Sequence, residues 1–280
     1  MVEQVDTRVG PVPVRSVGEG PAVLAVHGLL VDGRLWDDTA RLLAPHARVV
    51  LPDLPLGCQR RAVPDRARLT PASVAAALVD VLDGLGIDRA VLVGNDTGGA
   101  LAQIAAAAHP DRVAGIVLAG CDAFAHFPPP LLRPLLALAR VPAGAHLVVR
   151  ALGTPALLAD PGPLNLFTRR GFGRALVADL LAPARTDRAV RDDLRAFVAA
   201  IAPDVLLAAV DGLRAHRGRA AVVWGRQDRF FAAGDAVALA ALFDTTVTWC
   251  DDAATFVPLD RPDAVADAVR SVLAVSEGVA

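Results

Sequence analysis

No tyrosine occurs among the 280 residues. A phenol is therefore excluded as a proton donor. Only three cysteines are present, Cys58, Cys121 and Cys250. They form no metal-binding spacing, and their odd number argues against a disulfide framework and fits a reducing compartment. The formal net charge is only -2, which argues against nucleic acid as a partner. Short basic runs such as Gln59-Arg60-Arg61 sit among Asp and Pro and read as a solvated face. No apolar run has the length and purity of a membrane span. The acidic, polar N-terminus lacks a signal-peptide pattern. The expectation is a soluble cytoplasmic protein with a small molecule as its partner, no metal and no cofactor, with homodimer formation left open.

What is abundant is apolar. Hydrophobic residues make up 54% of the chain, much of it Ala, Val and Leu, so one sizeable core is easily filled. Val12–Val17 and Ala22–Val26 read as strands separated by the turn signal Gly18-Glu19-Gly20-Pro21. Arg48–Leu51, Ala90–Val93 and Val113–Leu118 continue the set, and short apolar runs bounded by turns suit buried strands. Helices are expected over Trp36–Ala44, from Thr70-Pro71 to about Leu82, and over Ala100–His109. The strand, loop, helix rhythm favours an α/β fold with a mostly parallel sheet covered on both faces.

The rhythm breaks after Ala119. From Phe127-Pro128-Pro129-Pro130 to about His216 the chain reads as several short helices, with Leu147-Val148-Val149 ambiguous. The pattern resumes with strands at Ala220–Trp224 and Thr246–Trp249, and helices at Ala232–Leu242 and Pro262–Val275. The expected organisation is a single domain over residues 1–280. Core segments 1–125 and 217–280 form its body, and residues 126–216 form a helical cap insert.

Gly94-Asn95-Asp96-Thr97-Gly98 follows a buried strand and opens a helix. The glycines suit a turn too tight for side chains, and such a turn holds its central residue up at the C-terminal edge of the sheet. A helix N-terminus there favours a carboxylate. Asp96 could attack an electrophilic carbon to form an ester, or move a proton as base or acid. It could also merely cap the helix.

With these residues stated, the chain resembles the α/β-hydrolase superfamily over nearly its full length. It looks closest to the aspartate-nucleophile branch, which includes haloalkane dehalogenases and epoxide hydrolases. His27-Gly28 resembles the HG motif of the oxyanion loop. Asp53-Leu54-Pro55-Leu56-Gly57 resembles, imperfectly, a D-x-P-G-x-G loop. Trp224-Gly225-Arg226-Gln227-Asp228 resembles the W-G-x-x-D loop of the triad acid. The stretch Gly94 to Pro130 is also similar to bacterial hydrolase-like proteins with Gly-Asn-Asp-Thr-Gly-Gly elbows. The resemblance implies that backbone N–H groups of Leu29 and Thr97 form an oxyanion hole. It also implies that His27, Gly28, Trp36, Asn95, Thr255 and Phe256 belong to the oxyanion loop or pocket. The halide-binding asparagine common after HG is absent, since position 29 is Leu. The paired tyrosines of epoxide hydrolases are absent too.

The family pattern G-H-F-x-x-x-E-x-P falls on Ala254 to Pro262, with Phe256, Asp260 and Pro262 matching it. The histidine position is Thr255, and no histidine lies between Trp249 and Ala280. A threonine hydroxyl cannot replace the imidazole as a base near neutral pH. His126, just beyond a strand end, is the best substitute. Asp122 follows the strand after the elbow, where some dehalogenases place their acid. Asp96, Asp122 and Asp228 could converge, and carboxylates at close range push their pKa values apart. The preferred expectation is therefore non-hydrolytic acid/base chemistry (cyclisation, elimination or isomerisation) on a small apolar molecule. The alternative is hydrolysis of an ester, epoxide or carbon–halogen bond through an Asp96 ester with a substitute base. A non-catalytic small-molecule binder is the second alternative.

Overall fold

Alternate residues of the buried strands face two separate packing layers, and this fixes the architecture. Val23 and Ala25 pack with Leu35, Trp36 and Leu43 on one side. Leu24 and Val26 pack with Leu78, Leu101 and Ile104 on the other. A sheet buried on both faces needs helices on both. The computed structural model, which describes residues 2–152 and 163–277, shows this arrangement.

In chain order the first elements are β1 (Val2–Thr7), β2 (Gly10–Val17), β3 (Ala22–Val26), α1 (Asp37–Leu43), β4 (Arg48–Pro52) and α2 (Pro71–Gly84). The elbow region follows as β5 (Ala90–Asp96), α3 (Thr97–Ala108) and β6 (Val113–Cys121). Among the described residues six α-helices then intervene: α4 (Arg133–Ala139), α5 (Pro142–Leu152), α6 (Arg174–Thr186), α7 (Arg188–Ala200), α8 (Pro203–Leu207) and α9 (Val210–Leu213). The chain closes with β7 (Ala220–Gly225), α10 (Ala233–Phe243), β8 (Val247–Cys250), α11 (Val257–Asp260) and α12 (Pro262–Glu277).

The eight strands form one sheet in the order β1-β2-β4-β3-β5-β6-β7-β8. β1–β2 and β2–β4 pair antiparallel, and every other pair is parallel. Helices α1 and α12 cover one face, and α2, α3 and α10 cover the other. The expected α/β architecture and helical insert are both present. β5 ends at the middle of the sheet, so Asp96 emerges at its central C-terminal edge.

Three local expectations are corrected. β1 is a strand where none was expected, because its sequence is polar and only Val5 is buried. It is an edge strand, and its order comes from pairing with β2 rather than from burial. β5 runs on to Asp96 and α3 starts at Thr97, three residues earlier than Ala100. Leu147-Val148-Val149 is helical, within α5, where Val148 and Val149 face the cap interior.

Among the described residues the segment between β6 and β7 contains no strand. Its α7 is amphipathic, with Val190, Leu194, Phe197 and Val198 buried at helical spacing. Asp187 caps α7 by accepting the Ala189 N–H at 2.7 Å. Helices α4 to α7 pack on one another, whereas α8 and α9 return to lie on α3. Asp193, fully buried on α7, accepts from Val63 N–H at 2.8 Å and from Arg66 Nε at 2.9 Å. Asp179 on α6 pairs with Arg34 and Arg60. These bonds dock the cap onto the loops that follow β3 and β4. No single helix among the described residues is long and apolar enough to cross a membrane.

The tightness of the elbow gives a stability test. A Cβ on Gly98 would lie 2.2 Å from the Val26 carbonyl oxygen, which is backbone and cannot rotate away. Gly98→Ala is expected to cost about 3 kcal/mol in urea unfolding. Gly234→Ala, where a Cβ meets open space, is expected to leave stability unchanged or slightly raised, because alanine favours helix.

Candidate active site

Asp96 sits at φ 55°, ψ -135°, a backbone conformation rare for any residue with a side chain. Strain of this kind costs about 1–3 kcal/mol and persists only where the surroundings enforce it. The surroundings here are three close approaches. A Cβ on Gly94 would lie 2.6 Å from Gly98 O, and one on Gly28 would lie 2.1 Å from Asp96 Oδ2. With the Gly98 contact, these leave no room for larger residues. The result presents the Asp96 carboxylate directly over the loop after β3.

That loop is held by His27. The Leu54 N–H donates to His27 Nε2 at 2.8 Å, so the ring proton is on Nδ1 and donates to Gly28 O at 2.9 Å. Burial lowers the pKa of His27 and keeps it neutral. Leu30 N–H donates to Leu56 O at 3.1 Å. The loop is thereby tied to the segment after β4, and Leu29 N–H donates to Asp96 Oδ2 at 3.1 Å. The backbone N–H of Thr97 also favours the charged form of the same carboxylate. Of the two N–H groups expected of an oxyanion hole, that of Leu29 is thus hydrogen-bonded to Asp96 itself, and Thr97 follows Asp96 directly in the chain.

Two further carboxyl groups share the site. Asp122, at the end of β6, is buried, and its Oδ2 accepts from Thr97 Oγ1 at 3.3 Å while Oδ1 has no partner. Asp228, after β7, accepts at Oδ1 from Phe230 N–H at 2.9 Å, Phe231 N–H at 3.0 Å and Thr255 Oγ1 at 2.7 Å. Its Oδ2 is buried without a partner. Thr255 thus spends its hydroxyl on Asp228, the residue that the resemblance implies as the triad acid. Burial is the main cause that raises all three acids. Asp96 is pushed up to about 7, with the charge of Asp228 adding to the effect, and Asp228 to about 6. Asp122 rises well above the carboxylate range, through burial and then the charge of Asp96. Among the described residues, no cation is one of the causes that set these values.

Asp96, Thr97 and Asp122 lie on the wall of a cavity of about 90 Å³. The rest of its lining is apolar and includes Leu29 and Leu30 from the loop, Leu132 and Leu136 from the cap, and Phe167 and Phe256. Phe167 stacks on Phe230 at 4.0 Å, so the cap closes against the loop that carries Asp228. A larger groove of about 650 Å³ between β2 and the 59–64 segment shares no lining residue with this cavity.

The remaining expected site residues lie elsewhere. His126 Nδ1 is 2.7 Å from Asp235 Oδ2, and His126 is not part of the cavity lining. The structure does not bring it to Asp96. Trp36 is fully buried in the layer beneath α1 and α12. Asn95 Nδ2 donates to the carbonyls of Ala119, Gly120 and Thr255, clamping the end of β5 to β6 and to the Thr255 loop.

Two residues were not anticipated as site supports. Gln103 donates to Gly99 O at 3.1 Å and Asp122 O at 2.8 Å, fixing the Asp122 backbone. Its signal was present, as an amide in an otherwise alanine-rich helix one turn beyond Gly99. Asp260, matched only as a pattern residue, accepts from Arg169 N–H at 2.8 Å, Arg170 N–H at 2.9 Å and Ala254 N–H at 2.9 Å. It joins the cap to the Thr255 loop.

The family pattern described as the alpha/beta hydrolase fold matches residues 21–162, half of the chain. The chain belongs to the α/β-hydrolase family. A relative in that family, 2-hydroxy-6-oxo-6-phenylhexa-2,4-dienoate hydrolase of Burkholderia cepacia, is 30% identical over 230 residues, covering 78% of this chain and 74% of that protein. An epoxide hydrolase of Siraitia grosvenorii is 36% identical over 105 residues, covering 35% of this chain and 33% of that one. In three dimensions a haloalkane dehalogenase from Bradyrhizobium elkani superposes with a TM-score of 0.82 at 21% identity, covering 100% and 99% of the two chains. This α/β-hydrolase thus shares the fold of the dehalogenase and epoxide hydrolase branch, and it carries threonine at the position where the family pattern has histidine.

The raised carboxyls make stability fall with pH. Between about pH 4 and pH 7 the folded state holds a proton on Asp96 that the unfolded chain has released, so stability drops as pH rises through that window. Asp96→Asn removes the penalty. The variant is expected to be more stable than wild type by about 3 kcal/mol at pH 8. The difference should vanish near pH 4, measured by urea unfolding at both values.

Proposed function

We propose that this protein hydrolyses a small, largely apolar organic molecule through an ester formed on Asp96. The observation that carries the reading is the hydrogen bond from the Leu29 N–H to the Asp96 carboxylate at the wall of an apolar cavity, with the Thr97 N–H also favouring the charged carboxylate. Donors in that position hold one carboxylate oxygen and leave the other to attack. The same donors then stabilise the oxyanion when water adds to the ester carbonyl. The relatives with hydrolytic names support this reading over the non-hydrolytic chemistry preferred on sequence alone. An epoxide or carbon–halogen bond, whose saturated carbon gives an ester when the carboxylate displaces oxygen or halide, is the expected target.

The non-hydrolytic reading keeps one specific support. Asp96 at about 7 is poised for proton transfer at neutral pH. The two readings differ in where oxygen goes. In a single turnover in H₂¹⁸O, the ester route delivers an oxygen of Asp96 to product and leaves the heavy oxygen on the enzyme. Heavy oxygen appearing directly in product would discard the ester route. An isomerised or cyclised product with no added oxygen would establish the other reading.

Asp96→Asn is expected to lower kcat by at least about 10³-fold. His126→Ala is expected to leave kcat within a factor of about two, as for a side chain outside the reacting set. A loss comparable to that of Asp96→Asn would restore His126 as the base.

A further inference from the structure

We propose that Asp122 acts as both acid and base, giving a proton to the group displaced by Asp96 and then taking one from the water that hydrolyses the ester. The proposal rests on the Asp96-ester reading and supplies what that reading lacks, since the chain has no tyrosine and no histidine in the loop after β8.

The geometry is the first support. Thr97, the residue next to Asp96 in the chain, donates its Oγ1 hydroxyl to Asp122 Oδ2 at 3.3 Å. Both carboxyls are part of the same cavity wall. Asp122 Oδ1 is buried with no hydrogen-bond partner. Gln103 fixes its main chain from behind. The titratable groups facing Asp122 are Asp96, Asp235 on α10 and the adjacent Cys121, none of them cationic. His126 is engaged by Asp235 instead. A buried carboxyl beside another carboxylate and without a cation holds its proton, so it is available as a donor.

The chemistry balances with water as the only co-reactant. In the first step an Asp96 oxygen bonds to the substrate carbon. The carbon–oxygen bond of an epoxide breaks, and the departing oxygen takes the Asp122 proton. In the second step water adds to the Asp96 ester carbonyl and its proton goes to the Asp122 carboxylate. Collapse breaks the acyl–oxygen bond, and Asp122 passes its proton to the departing alkoxide. Asp122 then recovers a proton from the new Asp96 acid. Both residues return to their starting states. One carboxyl alternating between acid and base is an established device in two-step hydrolysis. Asp228 is less suited, because its Oδ1 already accepts from three donors and it is not part of the cavity wall.

The test uses 1-bromobutane, whose bromide leaves without a proton, and 1,2-epoxybutane, whose alkoxide needs one. Asp122→Asn keeps the shape of the side chain, and thermal melting confirms that it folds. Intact-mass and peptide mass spectrometry should find a persistent butyl ester on Asp96 of Asp122→Asn after the bromide. Ester formation from the epoxide should be slower than in wild type by at least about 10²-fold. Release of product by Asp122→Asn at the wild-type rate would overturn the proposal. So would persistent ester in Asp228→Asn but not in Asp122→Asn. If wild type reacts with neither probe, the Asp96-ester reading fails separately, and infrared spectroscopy at pH 7 decides for Asp122. A protonated-carboxyl band lost in Asp122→Asn supports the acid assignment, and no such loss overturns it.

Discussion

Three carboxyl groups in one desolvated site, with no cation among them, set the terms for the rest of this structure. Burying one unpaired carboxylate is costly, and burying three close together is feasible only if protons are shared. Every nearby element serves that arrangement. The glycines of the elbow bring Asp96 over the loop after β3, where the Leu29 N–H meets it. Thr97 spans Asp96 and Asp122. Thr255 and two backbone N–H groups absorb one oxygen of Asp228. Nothing in the surrounding layers offers an arginine, although the chain carries 28 cationic residues, all of them arginine. Those arginines are used at the periphery, as in the pairs that dock the cap.

A histidine at position 255 would have changed this balance by supplying a positive charge between Asp96 and Asp228. Threonine keeps the hydrogen bond to Asp228 and gives up the charge. Burial then raises Asp96 to about 7 and Asp228 to about 6 with no cationic partner to offset it. The missing imidazole therefore means more than a missing base. It alters the protonation of the groups that stay behind, and so makes one of them a candidate for the vacated role.

Much of this was legible in the sequence because it is locally encoded. Continuous apolar runs gave the interior strands, and the glycine spacing around Asp96 marked the elbow. The match of Phe256, Asp260 and Pro262 to a pattern exposed Thr255. What escaped depends on partners far along the chain. β1 is polar and is ordered by its register with β2. Asp193 is buried on α7 only because Val63 and Arg66 reach it across the cap interface. His126 looked close to the elbow, yet its position is decided by Asp235 more than a hundred residues later. The preference for non-hydrolytic chemistry came from weighing two absent side chains.

Asp260 carries a different kind of consequence. Its two oxygens hold the turn at residues 168–170 of the cap and Ala254 beside Thr255, and Phe256 N–H donates to Phe167 O across the same seam. The roof of the cavity and the loop that supports Asp228 are thus one mechanical piece. A change in the cap that admits a bulkier molecule will therefore also shift the support beneath Asp228, so the shape of the cavity and the burial of its neighbouring acid cannot be altered independently.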